Sequence, residues 1–163
     1  MASVSLTASG ITFADYQTPA GGMANELFDH YEEGTYTPSF LGASGTSGQG
    51  YNVQTGHYVK TGACCNVVFY VIITTKGTIS GDLLCGGLPF SASSASRSVM
   101  TYGYTHEWTL TSGHHFSSYI ELNGSNIYLQ EASLTSDAVV KLATGAIEDG
   151  TQLMGQSTYF VSF

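Results

Sequence analysis

The sequence predicts an all-β protein: an antiparallel β-sandwich, jelly-roll-like, with an extended N-terminal arm. About eight short segments of strand composition are separated by turn residues, a pattern typical of sandwiches and barrels. No segment with helical periodicity is long enough for a βαβ unit. The 20 glycines supply the tight turns that many short strands require. A chain of 163 residues has the length of one ordinary domain.

The N-terminal segment is predicted to hold weak elements before the sandwich begins. Residues 3–13 alternate weakly and predict one or two short strands or an extended arm. Residues 15–22 have the composition of a linker, and residues 23–31 predict one short helical turn that needs tertiary support. Residues 35–40 predict a strand. Because proline cannot donate a ladder hydrogen bond, Pro38 favours an edge strand or the first strand of a domain.

The central region predicts a hairpin of two long strands. Residues 41–50 are rich in Gly, Ser and Thr and predict a flexible loop. Residues 51–60 and 66–75 have strand composition on either side of a turn at residues 61–63. Gly56, inside the first of these strands, predicts a β-bulge.

The longest apolar run of the chain, Cys64–Thr75, makes the strongest demand for burial. A strand with one face in water alternates apolar and polar residues, and residues 67–73 do not alternate. Both faces of this strand are therefore expected to be covered. The adjacent Cys64 and Cys65 point to opposite faces, and the odd total of three cysteines argues against a disulfide framework. Buried thiols are favoured, with a bridge from Cys85 to one of them left open.

The C-terminal half predicts further alternating strands. One face of the first is formed by Met100, Tyr102 and Tyr104, with a continuation through His106, Trp108 and Leu110. Residues 116–122 alternate next, and Asn123-Gly124 predicts a hairpin turn into residues 127–130. Residues 134–143 are ambiguous between a loop and a strand. Residues 156–163 alternate and predict the last strand.

Composition excludes several classes of partner. The net charge of −8 comes from 4 basic and 12 acidic residues, so the chain has no basic surface for nucleic acid or anionic membranes. Only 10% of residues are charged, so the surface is built mainly from Ser, Thr, Gly, Asn and Gln. The N-terminus predicts no signal peptide, and no run is long enough to span a membrane. Neutral partners such as glycans, or specific protein surfaces, remain open.

One aromatic cluster is a candidate binding patch for glycans, with polar edges from Glu121 or Asn123. Its members are the predicted receptor- or glycan-binding residues: Tyr102, Tyr104, His106, Trp108, His115 and Tyr119. The alternative interpretation is sandwich core for one face and an oligomer interface for the other, which the burial preference of aromatic residues favours.

No catalytic residue, metal site or cofactor is predicted. Glu32 and Glu33 are adjacent on an extended chain and point apart, unlike the paired carboxylates of a glycosidase. The spacing of His106, His114 and His115 fits no recognised metal site. A Ser/His/Asp arrangement lacks the sequence context of a nucleophile.

Four motifs occur in the same order as in phage tail-fibre and other virion proteins, which this chain resembles. They are the GITF of residues 10–13, the DHYEEGTYTP of residues 29–38, the QTGHYVKTG of residues 54–62 and the GLPF of residues 87–90. The terminal aromatic strand ending at Phe163 is also similar. His30 and His57 depart from the family pattern, and the family has no counterpart for residues 99–115.

The resemblance implies a non-enzymatic virion structural protein, commonly a homotrimer, that binds a cell-surface glycan or protein from the tail. Residues 1–34 would attach it to other virion proteins, and residues 35–163 would form the exposed sandwich. Virion proteins are made in the host cytoplasm and leave by lysis, which agrees with the lack of a signal peptide. The second face of residues 67–73 would lie at a subunit interface or under the N-terminal arm. The alternatives are a capsid decoration or cement protein, and a glycan depolymerase with inter-subunit carboxylates.

Overall fold

The structure is a computed structural model that describes residues 4–8, 10–13, 27–28 and 30–162. About two thirds of these residues lie in strands, all of them paired antiparallel, with one 3-10 turn at Thr144–Ala146. This confirms the predicted all-β sandwich. The strands in chain order are β1 (Val4–Thr7), β2 (Gly10–Phe13), β3 (Leu27–Phe28), β4 (Glu32–Tyr36), β5 (Ser39–Gly42), β6 (Gly45–Ser47), β7 (Gly50–Thr61), β8 (Cys64–Thr75), β9 (Thr78–Ser80), β10 (Leu83–Gly86), β11 (Ser98–Val99), β12 (Thr101–Trp108), β13 (His114–Ile120), β14 (Ile127–Ser133), β15 (Val139–Lys141) and β16 (Ile147–Phe160).

Two sheets enclose the core. The five-stranded sheet has the order β12-β16-β8-β7-β4, and the six-stranded sheet has the order β11-β13-β14-β10-β5 with β15 beside β14. The chain passes directly from one sheet to the other at Thr37-Pro38 and at Met100, and longer connections cross between the sheets elsewhere. The single strand predicted for residues 35–40 is divided at Pro38 into β4 and β5, both of which are edge strands, as the proline predicts. The core between the sheets includes the fully buried side chains of Phe40, Val67, Val71, Ile73, Leu83, Ile120, Ile127, Leu129, Leu153 and Tyr159.

The predicted central hairpin is confirmed as β7 and β8, and burial along β8 alternates strictly with a period of two. The buried positions are Cys65, Val67, Phe69, Val71 and Ile73. The first face of residues 67–73 therefore packs inside the sandwich, as predicted. The second face is partly exposed in the single chain: Val68 is 48% exposed, whereas Tyr70 and Ile72 are half-buried. Its cover by a subunit or by the N-terminal arm stays a prediction.

Gly56 does not form the predicted bulge. The β7–β8 register passes from Gly56 to Phe69 without interruption, and the register shifts lie between Gly50 and Val53 instead. The absent side chain has a different role, because a Cβ on Gly56 would lie 2.6 Å from ring atoms of Tyr36 on β4. The glycine thus admits the tyrosine ring against the sheet.

Three other segments differ from their predicted structure. Leu27 and Phe28, expected in a helical turn, form β3 on β2, since pairing outweighs the weak helical preference of a short segment. The loop predicted over residues 41–50 contains β6, which pairs with β9. The last strand begins at Ile147 rather than at residue 156. It includes Gly150, whose φ of 98° does not end the strand. The predicted linker at residues 15–22 lies outside the described residues.

The first strand of the sandwich begins earlier than predicted, and the thiols are free, which the sequence favours. β4 begins at Glu32, ahead of the predicted domain start at residue 35. All three thiols are free, and Cys65 and Cys85 are buried. Burial raises the pKa of the Cys65 thiol and raises that of Cys85 to about 12, so both behave as small apolar side chains at neutral pH.

Replacing Gly56 with Ala tests the close packing of Tyr36. The new methyl group must displace the Tyr36 ring, so we expect a loss of about 1–3 kcal/mol in the free energy of unfolding. Gly145→Ala is the matched control, since a Cβ there meets nothing within 4 Å. Thermal unfolding followed by circular dichroism should show a lower midpoint for Gly56→Ala alone. Equal midpoints for the two variants would contradict the packing.

Candidate binding surfaces

A bulge at Gly103 divides the predicted aromatic cluster. The β12–β16 register pairs Tyr102 with Gly155 and Tyr104 with Met154, so Gly103 is an extra residue between them. One extra residue reverses which face of the strand the following side chains occupy. Tyr102 and Tyr104 therefore lie on opposite faces, which corrects the predicted shared face. A second shift between His106 and Trp108 turns Trp108 inward again.

Tyr102 and Trp108 pack against the core, as the alternative interpretation of the cluster has it. Both rings make edge contacts with Phe116 of the opposite sheet, at centroid distances of 4.6 Å and 4.8 Å. The Trp108 indole N–H donates a hydrogen bond of 2.8 Å to the carbonyl oxygen of Gln152. Burial raises the pKa of the Tyr102 phenol. These two rings therefore pack between the sheets.

Tyr104 and His106 lie on the outer face of the five-stranded sheet, which we define as the side turned away from the core. Their rings are stacked, with an interplanar angle of 7° and centroids 6.1 Å apart. Beside them is a depression of about 470 Å³ that Val68, Tyr70 and Met154 help to line. This surface is mostly apolar.

His115 and Tyr119 lie on the six-stranded sheet instead, on the side of β13 away from the core. Tyr119 pairs in register with Tyr128 of β14, and the two rings stack at 5.2 Å with an interplanar angle of 13°. Sequence reasoning missed Tyr128. The signal for it was present, because Tyr119 and Tyr128 are equidistant from the Asn123-Gly124 turn and a hairpin pairs such positions.

Two cations extend the tyrosine pair into a four-layer stack, which we call the tyrosine ladder: Arg97, Tyr119, Tyr128 and Lys141. The Arg97 guanidinium lies 5.8 Å from the Tyr119 ring centroid, and the Lys141 ammonium lies 4.7 Å from that of Tyr128. Such contacts hold cations over ring faces. The ladder contains two of the four basic residues of the chain.

Carboxylates at both ends of the tyrosine ladder balance its charge. Glu121 accepts hydrogen bonds from Arg97 Nε at 2.7 Å and from Arg97 Nη2 at 3.1 Å. Asp82 pairs with Lys141 at 3.1 Å. Hydrogen bonding to Arg97 lowers the pKa of Glu121, and the hydrogen bond to Asp82 raises the pKa of Lys141, so both contacts favour the charged forms of these two groups. The patch has no net charge but presents several donors and acceptors.

The candidate catalytic and metal-binding groups are dispersed. Glu32 accepts a hydrogen bond from the Tyr58 hydroxyl, and Glu33 accepts one from the Tyr31 hydroxyl, both at 2.6 Å. Among the described residues no three His, Cys, Asp or Glu side chains come together as a metal site. No helix within that part of the chain is long and apolar enough to cross a bilayer.

Comparison with solved structures finds this fold in the Dettilon tailspike protein. The match has a TM-score of 0.65 and 18% sequence identity, and covers 80% of this chain and 24% of that protein. The chain thus spans about a quarter of the length of the tailspike it matches. At this identity the likeness concerns the fold. No family model and no curated protein matches the sequence.

Substitution of Trp108 tests its assignment to the core. Trp108→Ala removes the ring contacts with Phe40 and Phe116 of the six-stranded sheet, and we expect a loss of about 3 kcal/mol in the free energy of unfolding. His115→Ala, at an exposed position of β13, should change it by less than about 0.5 kcal/mol. Urea unfolding followed by circular dichroism compares the two. A Trp108→Ala variant of unchanged stability would restore Trp108 as a candidate ligand contact.

Proposed function

We propose that this chain is a structural protein of a phage tail whose β-sandwich takes part in host attachment. The observation that carries the proposal is the fold shared with the Dettilon tailspike protein over 80% of this chain. The ordered motifs between residues 10 and 90 support the same class of virion protein. Because the chain matches only 24% of that tailspike, the proposal concerns a tail-associated domain and takes over no activity from the whole protein.

We further propose that the chain assembles as a homotrimer. Residues 1–34 attach it to other virion proteins, and residues 35–163 form the exposed domain. Half-exposed apolar side chains in the middle of a sheet, such as Val68 and Met154, support association, because contiguous patches of this kind often mark interfaces. A stable monomer at micromolar concentration would contradict this state.

Host contact is proposed at the tyrosine ladder. Its Tyr119 belongs to the predicted patch and lies on β13, the strand that also holds His115. The rings and cations of the ladder, together with the carboxylates of Glu121 and Asp82 at its ends, supply apolar surface, hydrogen-bond donors and hydrogen-bond acceptors. A patch without net charge suits a neutral, hydroxyl-rich ligand better than a polyanion. A cell-surface glycan therefore fits this surface, and Tyr104 and His106 on the opposite side of the sandwich are left for another contact.

The role is proposed to be non-enzymatic. A glycosidase needs one carboxylic acid whose pKa is raised above its usual range. Hydrogen bonds from Arg97 and Thr111 lower the pKa values of Glu121 and Glu131, which is the opposite of the shift that such an acid needs. Release of reducing ends from host polysaccharide by the purified trimer would overturn this part of the proposal and establish the depolymerase alternative.

Imaging of intact particles tests the tail assignment. Gold-labelled antibody against the sandwich should mark the distal tail in electron micrographs, and particles assembled without this chain should be unmarked. Label spread over the capsid would contradict a tail role and favour a decoration or cement protein.

Adsorption to host cells tests the tyrosine ladder. Arg97→Gln removes one cation and its hydrogen bonds, and we expect about tenfold weaker adsorption, the equivalent of one charged hydrogen bond. Lys76→Gln removes the same charge outside the ladder and should adsorb like the wild type. Both variants should keep the wild-type mass in solution. Equal adsorption of all three proteins would exclude the ladder as the contact.

A further inference from the structure

The outer face of the five-stranded sheet carries five exposed apolar side chains. They come from β7, β8, β12 and β16, and they are Val59, Val68, Tyr104, Met154 and Phe160. The opposite side of the same sheet is buried in the core. A sheet that is apolar on both sides requires a second layer to keep its outer side chains from water.

Strand register places Tyr104, Met154 and Val68 in two adjacent rows, and Val59 and Phe160 lie in the two rows beyond them. Adjacent positions across four strands form two rows of outward side chains. One row is Thr55, Tyr70, Met154 and Tyr104, and the next is His57, Val68, Gln156 and Thr101. The depression of about 470 Å³ lies between these rows, with Gly103 at its rim, where a Cβ would meet nothing within 4 Å. There is room here for side chains of a partner.

Charge is absent from the middle of this face. Across β7, β8 and residues 150–160, all of them described by the structure, the single charged residue is Lys60. Its side chain is buried, with its ammonium 5.6 Å from the Phe90 ring centroid. A chain with a net charge of −8 repels its own copies, and the repulsion is weakest where the contact surface is uncharged. A charged partner would meet no opposite charges on this face. A second copy of the chain would bring an equally uncharged surface to the contact.

The face is also large enough. Strands of 12 to 14 residues at about 3.4 Å per residue, spaced by about 4.8 Å, cover about 40 Å by 20 Å. This is the area of about 800 Å² per partner found in stable interfaces. Three faces of this width around an axis enclose a triangle whose centre lies about 6 Å from each sheet. Since packed sheets are about 10 Å apart, side chains reach about 5 Å and fill that space.

We infer that the outer face of the five-stranded sheet is the contact between copies of this chain, and that three such faces pack around the trimer axis. The inference rests on the proposed homotrimer and names the surface that makes it. The tyrosine ladder, on the other sheet, then faces outward on all three copies. Tyr104 and His106 lie at the subunit contact, and Val68 and Met154 lie near its centre.

The test compares an aspartate in the centre of this face with a matched aspartate elsewhere. Val68→Asp places a charge among the apolar side chains of three subunits, whereas Val139→Asp changes a similarly exposed valine on β15 of the other sheet, where exposure is 53%. In sedimentation at micromolar concentration, the wild type and Val139→Asp should have three times the chain mass of 17.2 kDa. Val68→Asp should sediment as a folded monomer, with the wild-type circular dichroism spectrum.

The outcomes separate the surface from the oligomeric state. A wild-type trimer that Val68→Asp leaves intact would overturn the surface and leave the trimer standing. A wild-type monomer would overturn both. A monomeric Val139→Asp would place the contact on the six-stranded sheet instead.

A second variant covers the case in which Val68→Asp does not fold. Met154→Cys keeps a neutral side chain, and its thiol should react about tenfold more slowly with a maleimide in the trimer than after dilution to monomer, because an interface core excludes solvent. Peptide mapping distinguishes it from Cys64, which is on the same face. A rate that does not change on dilution would contradict the inference. Protection within a monomer would show that the N-terminal segment of the same chain covers the face.

Discussion

The structure depends on the register of its three long strands, β7, β8 and β16. Side chains alternate with a period of two, so a slip of one residue would move Val67 and Val71 into water and bring Val68 inside. The tight turn sets the pairing of β7 with β8, and a buried hydrogen bond anchors the end of β16. The turn between β7 and β8 uses Gly62 at a φ of 56°, and the fully buried Tyr159 donates its hydroxyl to the Phe90 carbonyl at 3.1 Å. Both the core and the outer face follow from this alignment.

The sequence predicts the fold class and the central hairpin because both depend on local patterns: strand composition, turn glycines and alternation. It does not predict the phase of β12. An extra residue at Gly103 reverses the faces of the strand, and only pairing with β16 shows where the extra residue lies. Likewise Leu27 and Phe28 pair with β2, and the helical preference of their own segment does not predict this pairing. Interactions between distant segments decide these cases.

The same limit explains the candidate site. Six aromatic residues close in sequence are distributed over the core, the outer face and the six-stranded sheet. The extra residue at Gly103 reverses the faces within β12, and His115 and Tyr119 belong to β13 of the other sheet. The tyrosine ladder shows the converse. Arg97 and Lys141 are far apart along the chain, yet the pairing of β13, β14 and β15 brings both beside the tyrosine pair. The hairpin turn at Asn123 predicts the tyrosine pairing, but nothing local to either cation predicts its place.

The distribution of charge gives the two outer surfaces different capacities. An acidic chain with few basic residues must either keep its copies apart or bring them together where no acid lies. The five-stranded sheet has its acids at its margins: Asp149, near the start of β16, accepts a hydrogen bond of 2.7 Å from the Lys76 amide, and Glu33 lies on the edge strand β4. The six-stranded sheet carries opposite charges in pairs over aromatic rings. Apolar association is therefore favoured on the first surface, and recognition of a polar, uncharged ligand is favoured on the second.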